Sequence, residues 1–192
     1  MAKPIQLAHF VFQTRQFPEM LKWYQDVLEA DIRFQNPLLA FLSFDEEHHR
    51  IALIDLCTMD PDAQQKLSSA AGTVEHVSFT YASITDLLEN YDRLKKMGIE
   101  PHWCVHHGMT ISMYYGDPDG NHIELQVDTF DSADQANEFM LGEAFTKNPI
   151  GVDYDPDELL EKLRNGTDVA TLLQYHEGPV STPQQSANRQ SQ

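Results

Sequence analysis

Apolar and polar positions along the chain fall into two successive patterns of the same kind. Residues 5–12 (IQLAHFVF) are dense in branched and aromatic side chains, which suit a strand, and Phe17, Met20, Leu21, Tyr24 and Leu28 then recur at helical spacing. Three more strand-like runs follow: Asp31–Gln35, Leu38–Phe44 behind the breaker Asn36-Pro37, and His49–Leu56 behind the polar turn DEEH. The pattern predicts a β-α-β-β-β module. From Thr73 the order returns. The strand VEHVSFTY leads to a helix opened by Ser83, with Ile84, Leu87, Leu88, Tyr91 and Leu94 on one side and a stop at Gly98. Strands near 100–106, 110–116 and 121–128 complete the copy. His9 and His76 take the same place in the opening strand of each copy, which two unrelated strands would seldom share.

Between the copies, Thr58–Gly72 is polar and reads as a linker. Beyond Asp128 a helical pattern spans Ser132–Leu141, and Asp155-Pro156 followed by Glu158 opens a further helix with proline at its first position. The closing STPQQSANRQSQ has too little apolar surface to fold and is expected to be disordered. The expected class is α+β: two βαβββ modules forming a curved mixed sheet around a metal-binding cavity. The boundaries read as one domain over residues 1–130 (module one 5–57, linker 58–72, module two 73–128), a C-terminal helical arm over 131–180 and a tail over 181–192. The arm is expected to pack on the sheets or on a neighbouring subunit.

Strand alternation sorts the side chains by face. In the last strand of module two, His122, Glu124, Gln126 and Asp128 oppose Ile123, Leu125 and Val127; Thr110, Ser112 and Tyr114 oppose Ile111 and Met113; His76, Ser78 and Thr80 oppose Val77, Phe79 and Tyr81. Three strands thus send polar groups to one side, which is unfavourable to bury unless that side lines a site.

Composition narrows what the site could serve. With 192 residues, 41% of them apolar, the chain can bury one substantial core or two small modules sharing one. Thirteen Lys and Arg against 30 Asp and Glu give a formal charge of −17, which argues against nucleic acid and anionic membranes as partners. The N-terminus MAKPIQLAHF lacks a basic segment followed by an apolar run, so a cytoplasmic protein is expected. Cys57 and Cys104 lack CxxC spacing and read as reduced packing residues.

His9, His76 and Glu124 on a polar sheet face make the donor set of a facial iron(II) site, in which three protein ligands leave three positions open. The same donors leave manganese open.

The paired modules, opened by AHFVF and VEHVSF and closed by DPDGNHIELQVD, resemble the vicinal oxygen chelate superfamily. Within it, EHHRIAL and HHGMTISMYYGDPDGNHIEL resemble the catalytic portion of type I extradiol dioxygenases, over roughly residues 5–130. The resemblance implies iron(II) held by His9, His76 and Glu124, an aromatic diol and dioxygen as the small-molecule partners, and cleavage beside the two hydroxyls to a muconic semialdehyde-type product. It places the acid-base histidine on His49, a substrate-contacting tyrosine on Tyr114, and a further histidine on His106 or His107, with His107 preferred before Gly108. Many relatives carry two such domain pairs; one pair implies a one-domain branch. Subunit contacts are common on this fold, so a homo-oligomer is expected.

From the residues alone several of these choices stay open. Strand parity groups His48, not His49, with Ala52, and both sit beside an acidic turn that solvation would explain. Tyr114 could be a packing residue, and His102 and His122 receive no role. A glyoxalase-like lyase would need a fourth protein ligand, yet aligning HRIALI with NHIELQ puts Ala52 where a second carboxylate would stand. A non-catalytic small-molecule binding protein could dispense with metal, although all three donors are present.

Overall fold

The computed structural model of the chain describes residues 9–46, 49–59 and 76–182. Along the chain the elements are β1 (Phe10–Thr14), α1 (Phe17–Leu28), β2 (Asp31–Gln35), β3 (Leu39–Ser43), β4 (Ile51–Asp55) and the short α2 (Leu56–Met59). There follow β5 (His76–Thr80), α3 (Ile84–Lys96), β6 (Trp103–His106), β7 (Thr110–Gly116) and β8 (His122–Asp128). The C-terminal arm adds α4 (Ala133–Met140), α5 (Glu143–Lys147), β9 (Val152–Asp153), α6 (Pro156–Arg164) and α7 (Val169–Leu172). They form two compact units: residues up to 73 together with Asp117–Asp119, and the remainder. Most of the predicted linker and tail, residues 60–75 and 183–192, lies outside the described residues, as do 5–8 of the first predicted strand. Among the described residues no helix is long and apolar enough to cross a membrane.

The first unit holds a four-stranded mixed sheet in the order β1-β4-β3-β2, with β1 parallel to β4 and the rest antiparallel. Ala40, Leu42, Ile51 and Leu53 are buried together with Phe17, Met20, Trp23, Tyr24 and Val27 of α1. Leu21 and Leu28, read as part of the apolar stripe, stand half-buried at its margins, because the 3.6-residue period carries the buried face toward Trp23 and Val27. Asp117 also belongs to this unit. Its carboxylate accepts the Tyr24 hydroxyl at 3.1 Å and the Asp119 N–H at 3.0 Å, so the DPDG segment is a side-chain-braced turn.

The second unit repeats the plan and extends it, in the order β5-β8-β7-β6-β9, with β5 parallel to β8. Ser83 caps α3 by accepting the Asp86 N–H, the stripe Ile84, Leu87, Leu88, Tyr91 and Leu94 is buried, and Gly98 ends the helix at φ 78°. The arm packs on its own unit. β9 pairs with β6, while Asp157 of α6 accepts hydrogen bonds from Tyr91 and Lys95, and Arg164 bonds Asp92 of α3. The arm elements α5, β9 and α7, two to five residues each, are too short to show a period in sequence. Cys57 is exposed and so is not the packing residue expected of it; Cys104 is half-buried, and both thiols are free.

Candidate active site

Glu124 lies in the middle of β8, between Ser78 of β5 and Tyr114 of β7. Its carboxylate is buried. Oε1 accepts a hydrogen bond from the Tyr114 hydroxyl at 2.8 Å, and Oε2 lies 3.3 Å from Nε2 of His76. Burial works to raise the pKa, but the bonds from His76, Ser112, Tyr114 and Ser78 outweigh it and hold the group down to about 2. A buried, ionised carboxylate 3.3 Å from an imidazole nitrogen is an arrangement suited to a cation.

His107 follows β6 and completes this cluster. Its Nε2 is 3.1 Å from the Tyr114 oxygen and 3.8 Å from Glu124 Oε1, and its Nδ1 is 2.5 Å from the Ile150 carbonyl. Burial pulls its pKa down, against the Ile150 carbonyl and Glu124, which favour the cation. His106 looks the other way, with Nε2 3.2 Å from the Leu173 carbonyl and Nδ1 accepting the Gly108 N–H at 3.1 Å. Tyr114 is held flat by Trp103, whose ring stacks on it at 4.6 Å, and His76 meets its edge at 5.4 Å.

In the first unit, the rings of His9 and His49 lie 4.4 Å apart, and His49 stacks on Phe41 at 4.4 Å. Phe41 is the register partner of Ala52, so His49 shares the Ala52 face. Parity had assigned that face to His48, which lies outside the described residues; β4 begins only at Ile51, so alternation does not extend back to His49. Register also equates the modules. Phe10 opposes Ile51 as Val77 opposes Ile123, which sets His9 in the place of His76 and Ala52 in the place of Glu124.

The model of the Glyoxalase/Bleomycin resistance protein/Dioxygenase superfamily matches residues 6–125. The chain belongs to this superfamily. Two curated relatives from Rhodococcus globerulus are similar to it along most of their length. Biphenyl-2,3-diol 1,2-dioxygenase 2 is 40% identical over 92% of this chain and 90% of its own, and biphenyl-2,3-diol 1,2-dioxygenase 3 is 41% identical over 86% of each. Among solved structures, a lactoylglutathione lyase from Agrobacterium tumefaciens superposes with a TM-score of 0.51 at 18% identity, covering 66% of this chain and 96% of its own, a likeness of fold alone. The vicinal oxygen chelate fold expected from AHFVF, VEHVSF and DPDGNHIEL is therefore the fold of this superfamily member.

Of the residues singled out by sequence, the second unit brings together His76, Glu124, Tyr114 and His107, and leaves His106 outside the cluster. The first unit brings together His9 and His49. Among the described residues no three His, Cys, Asp or Glu side chains gather closely enough to enclose a metal. The donor chemistry of the His76–Glu124 pair nevertheless fits one: an imidazole nitrogen and an ionised oxygen, with Glu124 Oε1 already engaged by Tyr114. Sequence reasoning gave no role to the Ile150 carbonyl. It sits in an Asn-Pro loop with no periodic signal, and a backbone acceptor carries no side-chain signature.

Proposed function

We propose that the protein is an iron(II)-dependent extradiol dioxygenase that opens the ring of a catechol-type aromatic diol beside its hydroxyls, adding both atoms of dioxygen to give a muconic semialdehyde-type product. The observation that carries this reading is the identity of 40% with a biphenyl-2,3-diol 1,2-dioxygenase over 92% of the chain. The ionised Glu124 beside His76 supports it.

His9, His76 and Glu124 would hold the metal. Bound there, iron(II) supplies a Lewis acid for both diol oxygens and a conduit for electron density from the ring to dioxygen. The protein's own part is positioning and proton handling. Tyr114 donates to Glu124 Oε1 while Oε2 faces His76, so Glu124 and His76 would be presented together to the metal. With its ring fixed by Trp103, the Tyr114 hydroxyl would hydrogen-bond a substrate oxygen. His49 is the proton acceptor for the diol and the later donor, a task suited to an imidazole side chain, and its stack on Phe41 fixes the plane of the ring. His107 would favour the negative charge that develops on oxygen. A glyoxalase-like lyase is the less favoured reading, because Ala52 stands where the register would put a second carboxylate.

Turnover of 2,3-dihydroxybiphenyl under isotopically heavy dioxygen tests the assignment. The ring-opened product should carry two heavy oxygen atoms. A product with no heavy oxygen contradicts dioxygenation, and His49→Gln with unchanged turnover removes His49 from the mechanism.

A further inference from the structure

His106 and His107 are adjacent, both are withdrawn from water, and their hydrogen bonds demand opposite tautomers. In His106, Nδ1 accepts the Gly108 N–H, so the proton of the neutral ring is on Nε2, where it is donated to the Leu173 carbonyl. In His107, Nδ1 faces the Ile150 carbonyl. A carbonyl only accepts, so Nδ1 carries a proton, while Nε2 faces the Tyr114 oxygen, whose own proton is donated to Glu124.

The Ile150 carbonyl is held by construction. The buried Asn148 side chain closes a two-bond clamp on the backbone of Gly151: Nδ2 donates to the Gly151 carbonyl at 2.8 Å and Oδ1 accepts the Gly151 N–H at 2.8 Å. The Ser181 N–H adds a bond to the same carbonyl at 2.8 Å. Gly151 itself has φ 109°, and a Cβ there would stand 2.4 Å from the His106 carbonyl oxygen, so the loop presses directly against the backbone that carries His107.

We infer that Asn148 is a positioning residue: by clamping Gly151 it holds the Ile150 carbonyl on Nδ1 of His107, keeps a proton on that nitrogen, and turns Nε2 toward the Tyr114 oxygen. The inference deepens the dioxygenase reading and rests on it for its catalytic meaning, while the tautomer can be read without turnover. The C-terminal arm thereby acts on the chemistry without contributing a side chain that touches substrate.

The test uses metal-free, nitrogen-labelled full chain and long-range proton–nitrogen correlation spectra, which report which ring nitrogen of each histidine is protonated. His107 should be Nδ1–H and His106 Nε2–H in the unsubstituted protein. In Asn148→Ala, His107 should shift toward the Nε2–H form while His106, bonded elsewhere, stays unchanged. Loaded with iron(II), that variant should lose roughly tenfold or more in kcat with KM little changed. Asn148→Ser, which keeps one oxygen for the Gly151 N–H, should fall between the two and serves where the alanine variant does not fold. An Nε2–H His107 in the unsubstituted protein, or an unchanged His107 in a folded Asn148→Ala, overturns the inference. Absent oxygen uptake with the expected tautomers would instead overturn the ring-cleavage reading alone.

Discussion

Gly151→Ala and Gly166→Ala form a matched pair, because both glycines have positive φ, 109° and 80°, but only one is crowded. At Gly166, the residue after the C-cap of α6, an added Cβ meets nothing within 4 Å, so the substitution brings only the left-handed strain of an L-residue, about 1–2 kcal/mol. At Gly151 the same methyl would lie 2.4 Å from the His106 carbonyl oxygen and 2.9 Å from the His107 Cα, both backbone atoms that cannot rotate away. Relieving that overlap requires main-chain movement, worth about 1–3 kcal/mol beyond a backbone strain of similar size. Gly151→Ala should therefore lose about 2–6 kcal/mol, a large part of the 5–15 kcal/mol typical of a domain. Urea unfolding followed by tryptophan fluorescence and by circular dichroism measures both variants, and coincidence of the two probes guards the two-state assumption. Equal losses in the two variants would refute the claim that the loop is packed against the His106–His107 backbone. A stable Gly151→Ala would refute it outright.

Tyr114→Phe removes the donor to the ionised Glu124, a bond worth about 1.5–3 kcal/mol, so iron(II) affinity or kcat/KM should fall roughly tenfold to a hundredfold; anaerobic metal titration and steady-state kinetics check this, and unchanged values refute it. Burial first, then nearby His107 and His176, pull the His106 pKa to about 4 against the bond to Leu173. Its folded-state pKa is below the unfolded value near 6.5, so its contribution to stability is present above about pH 6.5 and lost as pH falls through about 4, at most about 3 kcal/mol. The fall in urea-unfolding free energy between those limits should be smaller in His106→Gln, and parallel curves would contradict it. Burial, with Asp155, Asp153 and Asp157 nearby, pushes the Cys104 thiol up to about 12, so native alkylation read by mass spectrometry should mark Cys57 and spare Cys104 until urea is added.

Much of this architecture is written in periodicity. The stripe Ile84, Leu87, Leu88, Tyr91 and Leu94 is buried as read, and Ser83 and Asp155 cap α3 and α6 at the predicted starts. Alternation along β7 and β8 put Ser112, Tyr114 and Glu124 on one face, and the register makes Tyr114 and Glu124 direct neighbours. Where regular structure stops, the signal stops too. His49 and His107 both follow or precede a strand rather than lie within one, so parity could not orient either, and only the family resemblance separated each from its histidine neighbour. The Asn148–Gly151 clamp was not legible at all, because it depends on a positive φ and a backbone carbonyl rather than on a pattern of side-chain types.

Ring cleavage is tested by oxygen uptake recorded together with visible absorbance as 2,3-dihydroxybiphenyl, then catechol, is added in air to protein loaded anaerobically with iron(II). One dioxygen should be consumed per diol with formation of a yellow semialdehyde-type product, both abolished in His76→Ala. Stoichiometric iron without uptake or colour from either diol would contradict ring cleavage.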